Sequence, residues 1–209
     1  MKHRYHIITA FNRWQNLDAM IKMLQPLDII WEPICDDTPE NRARMPVRGW
    51  ICARFAPKAP DHWHPAAWPI YWHPCRCPVE SCDRYLIMTD DDGLEPGFLE
   101  KVDEVAGDFL IVSLKRGDHQ PPTGPQYGTD TLIASPENFH HGRVAGEQLI
   151  VSGYIWRSFR HLHTADGDWP MMSAIASVYP PVFVPDAFAY FNYLEPGRWN
   201  KVDVPHKSE

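Results

Sequence analysis

No stretch of this sequence is apolar over the roughly 18 residues that a membrane-spanning helix requires, so no transmembrane segment is expected. The first residues, MKHRYHIITAFNRW, pass straight from basic to alternating residues and lack the apolar core of a signal peptide. Cysteine is sparse: five in 209 residues, an odd number that suits reduced thiols better than a disulfide framework. Together these absences predict a cytoplasmic protein. Basic charge is also in short supply, with 20 Lys and Arg against 27 Asp and Glu and a net charge of −7. Binding to nucleic acid needs clustered cations, so nucleic acid is not an expected partner. No repeat, low-complexity tract or shift in composition divides the chain, and its length predicts one domain. Disorder is excluded by 44% hydrophobic and 22% charged residues. A chain this long buries on the order of 70% of its unfolded surface and needs no disulfide or metal staple.

What the chain does have is proline, 21 residues, and aromatics, 12% of the total. Both shape the reading of elements. Tyr5 to Thr9 reads as a short strand. Trp14, Leu17, Met20, Ile21, Leu24 and Leu27 then form the stripe of an amphipathic helix, which Pro26 should end near Gln25. Asp28 to Cys35 is a second apolar run closed by the turn cluster Asp36-Asp37-Thr38-Pro39. Strand, helix and strand in 35 residues predict the opening of a parallel sheet. Strands are also expected over Gly49–Phe55, Tyr85–Thr89, Asp108–Leu114, Gln148–Trp156 and Val182–Tyr193. Helices are expected after Pro96, from Ser135-Pro136-Glu137 and from Asp168. Residues 57–80, rich in Pro, Trp and His and without a period, are expected to be a functional or ligand-tied loop, and 115–130 another loop.

Asp90, Asp91 and Asp92 carry the strongest local signal. Three adjacent carboxylates at the end of an apolar strand repel one another and raise each other's pKa values. A hard divalent cation, Mn²⁺ or Mg²⁺, relieves that repulsion and leaves room for phosphate oxygens. A solvated acidic turn that caps the next helix explains the same residues without a ligand. In open α/β sheets, ligands bind beyond the carboxyl ends of the strands, so Thr9, Ala10, Phe11, Asn12 and Arg13 after the first strand, and Asp36 and Asp37 after the second, should face the same crevice. Turn and cap roles are open to Asp36 and Asp37 as well.

In chain order, Ile7–Leu24 (IITAFNRWQNLDAMIKML), Trp31–Thr38, Tyr85–Val102 (YLIMTDDDGLEPGFLEKV), Asp166-Gly167-Asp168-Trp169 and Pro180–Tyr193 (PPVFVPDAFAYFNY) resemble the successive segments of GT-A type glycosyltransferases, particularly the inverting family 2. The resemblance spans most of the chain and implies a single α/β, Rossmann-like domain with a mostly parallel sheet and helices on both faces. It also implies a nucleotide-sugar half at 1–114 and an acceptor half at 115–209. The activity implied is metal-dependent transfer of a sugar from a nucleotide diphosphate-sugar to a hydroxyl acceptor. Thr9, Phe11, Asn12, Arg13, Asp36, Asp37, Asp90 and Trp169 would bind substrate, and Asp91 and Asp92, with His163, would hold Mn²⁺ or Mg²⁺. Asp168 would be the catalytic base, with Asp166 as rival; a helix N-cap explains Asp168 equally well. Arg157 or Arg160 would join Arg13 as phosphate contacts. The sequence departs from the family at Thr38-Pro39, where the family has Gly-Ser, at Gly167, where Glu is common, and in the segment before the acidic strand.

Two other readings stand beside this one. A nucleotidyltransferase shares such sheets and acidic sites but would want a Gly-rich, Lys-bearing phosphate loop, and Thr9–Trp14 has neither Gly nor Lys. Alternatively, Cys75, Cys77 and Cys82, with His73, His62 or His64, would tie the Pro-rich segment around Zn²⁺ in an interaction module, although the spacing is not a standard knuckle.

Overall fold

The alternation of apolar residues around Ile7 and Ile8 belongs to a strand buried on both faces. In the computed structural model, β1 (Tyr5–Ala10) is buried along its whole length. It lies between two parallel neighbours, β2 (Ile29–Asp36) and β4 (Arg84–Thr89), with Ile7 opposite Trp31 on one side and Leu86 on the other. The structure describes residues 3–46, 48–61, 67–76, 83–116, 131–162 and 168–191.

The sheet has eight strands. The others are β3 (Arg54–Ala56), β5 (Gly93–Leu94), β6 (Phe109–Arg116), β7 (Leu149–Ser152) and β8 (Val182–Phe191), and the order is β3-β2-β1-β4-β7-β6-β8-β5. The pairs β3/β2, β2/β1, β1/β4 and β6/β8 are parallel, while β7 runs antiparallel to both β4 and β6 and β5 runs antiparallel to β8. This is the expected mostly parallel α/β domain.

Helices cover both faces, because successive residues of a strand point to opposite sides. One layer packs Ile7, Trp31, Leu86 and Leu110 against α1 (Leu17–Leu24) and α4 (Phe98–Asp103) through Met20, Leu24, Phe98 and Val102. The other packs Ile8, Ile87, Ile111 and Val151 against α3 (Ala67–Arg76), α5 (Gly153–Phe159) and α6 (Trp169–Ala176) through Ile70, Ile155, Trp156, Met171 and Met172. Each fully buried side chain of this size contributes about 1.5–3 kcal/mol.

Four expectations change. The strand foreseen over Gly49–Phe55 shrinks to β3, and Ile51 makes isolated bridges to Trp31 and Arg48. Part of the aperiodic 57–80 segment is helical: α3 begins with Pro69 in its first turn, where its missing N–H costs nothing. It docks by burying Ile70 and His73 on the sheet. The run Gln148–Trp156 divides, because β7 ends at Ser152 and Gly153 starts α5, whose Ile155 and Trp156 turn into the core. Pro136–Asn138 makes only a short 3₁₀ turn. The pairing of β6 with β8 shifts register at Pro185-Asp186: Val112 pairs with Val184 but Ser113 with Phe188, and the Ser113 hydroxyl donates to the Pro185 carbonyl at 2.8 Å.

The topology determines where a site can form. Parallel β1, β2 and β4 all end at one edge of the sheet. Antiparallel β7 begins at that edge, so the 3₁₀ turn Gly146–Gln148 that leads into it arrives beside the end of β4.

Candidate active site

Asp90, Asp91 and Asp92 leave β4 almost without solvent contact, each 1% exposed or less. The three have different partners. Asp90 accepts from the backbone N–H of Asn12 at 2.6 Å, from the N–H of Arg13, and from the Arg13 guanidinium. Its own carbonyl accepts from Asn16 Nδ2 at 2.9 Å. Its carboxylate therefore clamps the turn after β1. Asp91 Oδ1 accepts from the Thr89 hydroxyl at 2.9 Å and from Arg13 Nη1 at 3.1 Å, whereas its Oδ2 is buried without a hydrogen-bond partner. Asp92 Oδ2 accepts from Thr89 N at 2.6 Å and lies 2.7 Å from the same Thr89 hydroxyl, whose one proton the two carboxylates share. Burial, offset by Arg13 and reinforced by Asp90, pushes the Asp91 carboxyl up to about 6.

Asp168 joins this group from the far half of the chain. It stands at the N-cap position of α6, yet its side chain makes no cap bond. Instead Oδ2 accepts from the backbone N–H of Gly146 at 2.7 Å. A Cβ on Gly146 would lie 3.0 Å from the Asp168 carboxyl carbon, so only glycine lets the carboxylate come this close. The capping explanation for Asp168 is thereby set aside.

Glu147 is the residue that sequence reasoning missed. It is 7% exposed, its Oε2 has no partner, and burial together with Asp92, Asp168 and Asp91 drives its carboxyl well above the ordinary carboxylate range. The available signal was an acidic residue at the mouth of the apolar run that became β7.

The remaining candidates divide. Thr9 and Phe11 are fully buried: Thr9 Oγ1 accepts from Trp31 Nε1 at 3.0 Å, and Phe11 packs edge-on against Trp14 and Trp31. They shape the turn from beneath. Asn12 is exposed above it, and Arg13 is partly so. Asp36 ends β2 and Asp37 follows it; Arg42 Nε donates to exposed Asp37 at 2.6 Å, which holds that carboxyl below its ordinary range. Thr38-Pro39 starts the helix α2 (Pro39–Arg44), with Thr38 Oγ1 accepting from Asn41 N. Trp169 is half-buried against Phe139 and His141. Arg157 lies on α5 and Arg160 in the 3₁₀ turn after it. His163, Asp166 and Gly167 lie outside the described residues, as do His62, His64 and the side chains of Cys75, Cys77 and Cys82. His73 Nε2 lies 3.0 Å from Glu32 Oε2.

Carboxylate oxygens are the donors a hard cation prefers, and Asp91 Oδ2 and Glu147 Oε2 are buried without a hydrogen-bond partner. Among the described residues Arg13 pairs with Asp90 and Asp91. Among the described residues no three His, Cys, Asp or Glu side chains form a ready-made metal cage.

Known structures share this architecture. The chain superposes on S. aureus TarS 1–349 in complex with UDP-GlcNAc with a TM-score of 0.55 over 97% of its length, at 12% identity. It superposes on the UDP complex of the same protein at 0.54 over 90%, also at 12% identity. TarS is a family 2 glycosyltransferase of the GT-A type. The fold is GT-A. The chain spans about three fifths of the TarS 1–349 chain, 62% and 60% in the two complexes. A GT-A-like sheet also serves other chemistry: 4-diphosphocytidyl-2C-methyl-D-erythritol synthase matches at a TM-score of 0.53 and 8% identity, over 88% of each chain. No protein-family model matches the sequence. No curated protein matches it. No described helix is long and apolar enough to cross a membrane.

Proposed function

We propose that this GT-A chain is a metal-dependent glycosyltransferase that moves a sugar from a nucleotide diphosphate-sugar to a hydroxyl acceptor with inversion. The observation that supports it best is the meeting of Asp91, Asp92, Glu147 and Asp168 at the edge where β1, β2 and β4 end. Carboxylates gathered where parallel strands end suit a site that receives a divalent ion together with a diphosphate.

Asn12 and Arg13, on the turn held by Asp90, would meet the donor, and Asp36 and Asp37 would meet its base or ribose from the end of β2. Asp91 and Asp92, and His163 if it reaches the site, would hold Mn²⁺ or Mg²⁺, which when bound offsets the charge of the departing diphosphate. Asp168 would take the proton of the acceptor hydroxyl, and the Gly146 N–H holds its carboxylate in a fixed orientation for that transfer. Trp169, next in the chain, would pack on the apolar face of the sugar. Residues 1–114 would thus carry the donor and most of 115–209 the acceptor and the base.

The likeness to the synthase favours one competing reading, a nucleotidyltransferase. Calorimetric titration with UDP-, GDP- and CDP-sugars and with CTP, each with Mn²⁺, separates the two. Binding of a nucleotide-sugar, followed by transfer to an acceptor with inverted anomeric configuration, is expected. Release of pyrophosphate from CTP would decide for the competing reading.

A further inference from the structure

We propose that the turn at residues 140–143 and the start of α6 form the acceptor subsite, where His141 and Trp169 bind an acceptor that is itself a saccharide. The inference rests on the transferase reading above, with Asp168 as its base, and deepens it by naming the class of acceptor. His141 lies outside every segment that carries the family resemblance. Its imidazole is exposed, and the ring centroid stands 6.1 Å from that of the half-buried Trp169, with the two planes 47° apart. Trp169 follows Asp168 in the chain, so this pair of rings borders the residue that Gly146 holds. Among the described residues neither ring nitrogen of His141 nor Trp169 Nε1 has a hydrogen-bond partner.

The turn holds His141 in a fixed place. Arg143 N donates to the His140 carbonyl at 3.0 Å, and His140 Nδ1 donates to the His141 carbonyl at 3.1 Å. Gly142 has a φ of 81°, the left-handed conformation that glycine adopts without a Cβ clash. Both flanks of the turn are anchored: Phe139 packs on Phe109, Phe183 and Trp169, and Val144 packs on the same core layer. The segment then runs on to Gly146, whose N–H binds Asp168 at 2.7 Å. One short stretch of chain therefore meets both residues at the head of α6, Trp169 through His141 and Asp168 through Gly146. Two tilted rings with uncommitted nitrogens suit a sugar, whose C–H face covers aromatic carbon and whose hydroxyls pair with the indole N–H and the imidazole. An acceptor seated there brings its hydroxyls to the head of α6, where Asp168 would take the proton.

The test is saturation-transfer NMR with the methyl glycosides of glucose, galactose, mannose and N-acetylglucosamine, without donor or turnover. At least one glycoside should receive saturation from the wild-type protein. Its affinity should fall about fivefold or more in His141→Ala. The loss should be smaller in Trp169→Phe, which keeps a ring against Phe139 and removes only the N–H. Melting temperatures should stay close to wild type, since His141 is exposed and the phenyl ring still meets Phe139. Nucleotide affinity, read by calorimetry with UDP, GDP and CDP and with Mn²⁺, should be the same in all three proteins. Wild-type glycoside affinity in His141→Ala overturns the inference, as does a wild-type protein that saturates none of the four glycosides; nucleotide binding then still supports the transferase reading. Glycoside binding through His141 by a protein that binds none of the nucleotides overturns the transferase reading instead. If Trp169→Phe does not fold, His141→Ala decides alone.

Discussion

At the level of single residues, Asp168 shows how much a side chain's partner decides its meaning. Its position at the start of α6 fits a helix cap, but its bond to Gly146 N fits a carboxylate held for use. Asp168→Asn keeps size and hydrogen-bonding shape but cannot take up a proton. Transfer should fall by about 10²–10⁴, with donor affinity measured by calorimetry nearly unchanged. Normal turnover in Asp168→Asn would assign the base elsewhere. Gly146→Ala tests the same contact from the other side. The new methyl would press on the Asp168 carboxylate at 3.0 Å, so activity should drop while the melting temperature shifts little, since the turn is short and the core is untouched. A variant that is fully active with the same crystal position for Asp168 would show that the contact is incidental.

At the level of elements, the clamp between β4 and the turn after β1 supports the most definite expectation. Asp90 takes two backbone N–H groups and the Arg13 guanidinium in a nearly solvent-free position. Asp90→Ala removes the buried acceptor of those partly buried groups, and the cost should be on the order of 3 kcal/mol, read as a lower urea midpoint. A loss below about 0.5 kcal/mol would mean that Asp91 replaces it as the partner of Arg13. A second polar group ties α3 to the sheet. Both nitrogens of His6 face carboxylates, Glu32 at 2.6 Å and Asp83 at 2.8 Å, and His73 of α3 reaches the other Glu32 oxygen. His6 also stacks on Tyr85, which stacks on Trp156. This network explains why a proline-bearing segment without a hydrophobic period is helical: the helix is held by what it docks against.

At the level of the whole molecule, the two groups of buried carboxylates oppose each other as pH changes. Burial works against ionisation of Glu32, but hydrogen bonds and charge from His6 and His73 outweigh it and hold the carboxyl well below its ordinary 4.5. Its contribution to stability is therefore present above about 4.5 and is lost as pH falls toward the lowered value. Asp91 has the opposite sign. With its carboxyl raised from 3.8 to about 6, it favours the fold most below 3.8 and loses that contribution as pH rises to about 6. The metal-free protein should thus gain stability as pH falls from 7 to about 5 and lose it below about 4.5. Chemical denaturation at a series of pH values checks this. Asp91→Asn should flatten the limb between pH 7 and 5 and raise stability at pH 7 by about 1–3 kcal/mol, and Glu32→Gln should flatten the acid limb. A wild-type curve that rises steadily from pH 5 to 7 would mean that the acidic cluster is compensated without a cation.

The strands β1, β2, β4, β6 and β8, and the helices α1, α4 and α6, were legible in the sequence because each carries its period within a few residues and local pattern decides it. The acidic cluster after β4 was legible for the same reason, since like charges in adjacent positions need no fold to be noticed. Only tertiary structure could separate Asp90 from Asp91, because how Arg13 is shared between them depends on two strands lying side by side, although Arg13 and Asp91 stand 78 positions apart in the chain. The same holds for Glu147 and Asp168, which reach the cluster because β7 runs against β4 and α6 starts beside Gly146. The helix α3 and the β7–α5 division were likewise decided by docking, through His73 on Glu32 and Trp156 on Tyr85. A short apolar run fits strand or helix equally well on its own, and its choice between them is made by the surface it has to cover.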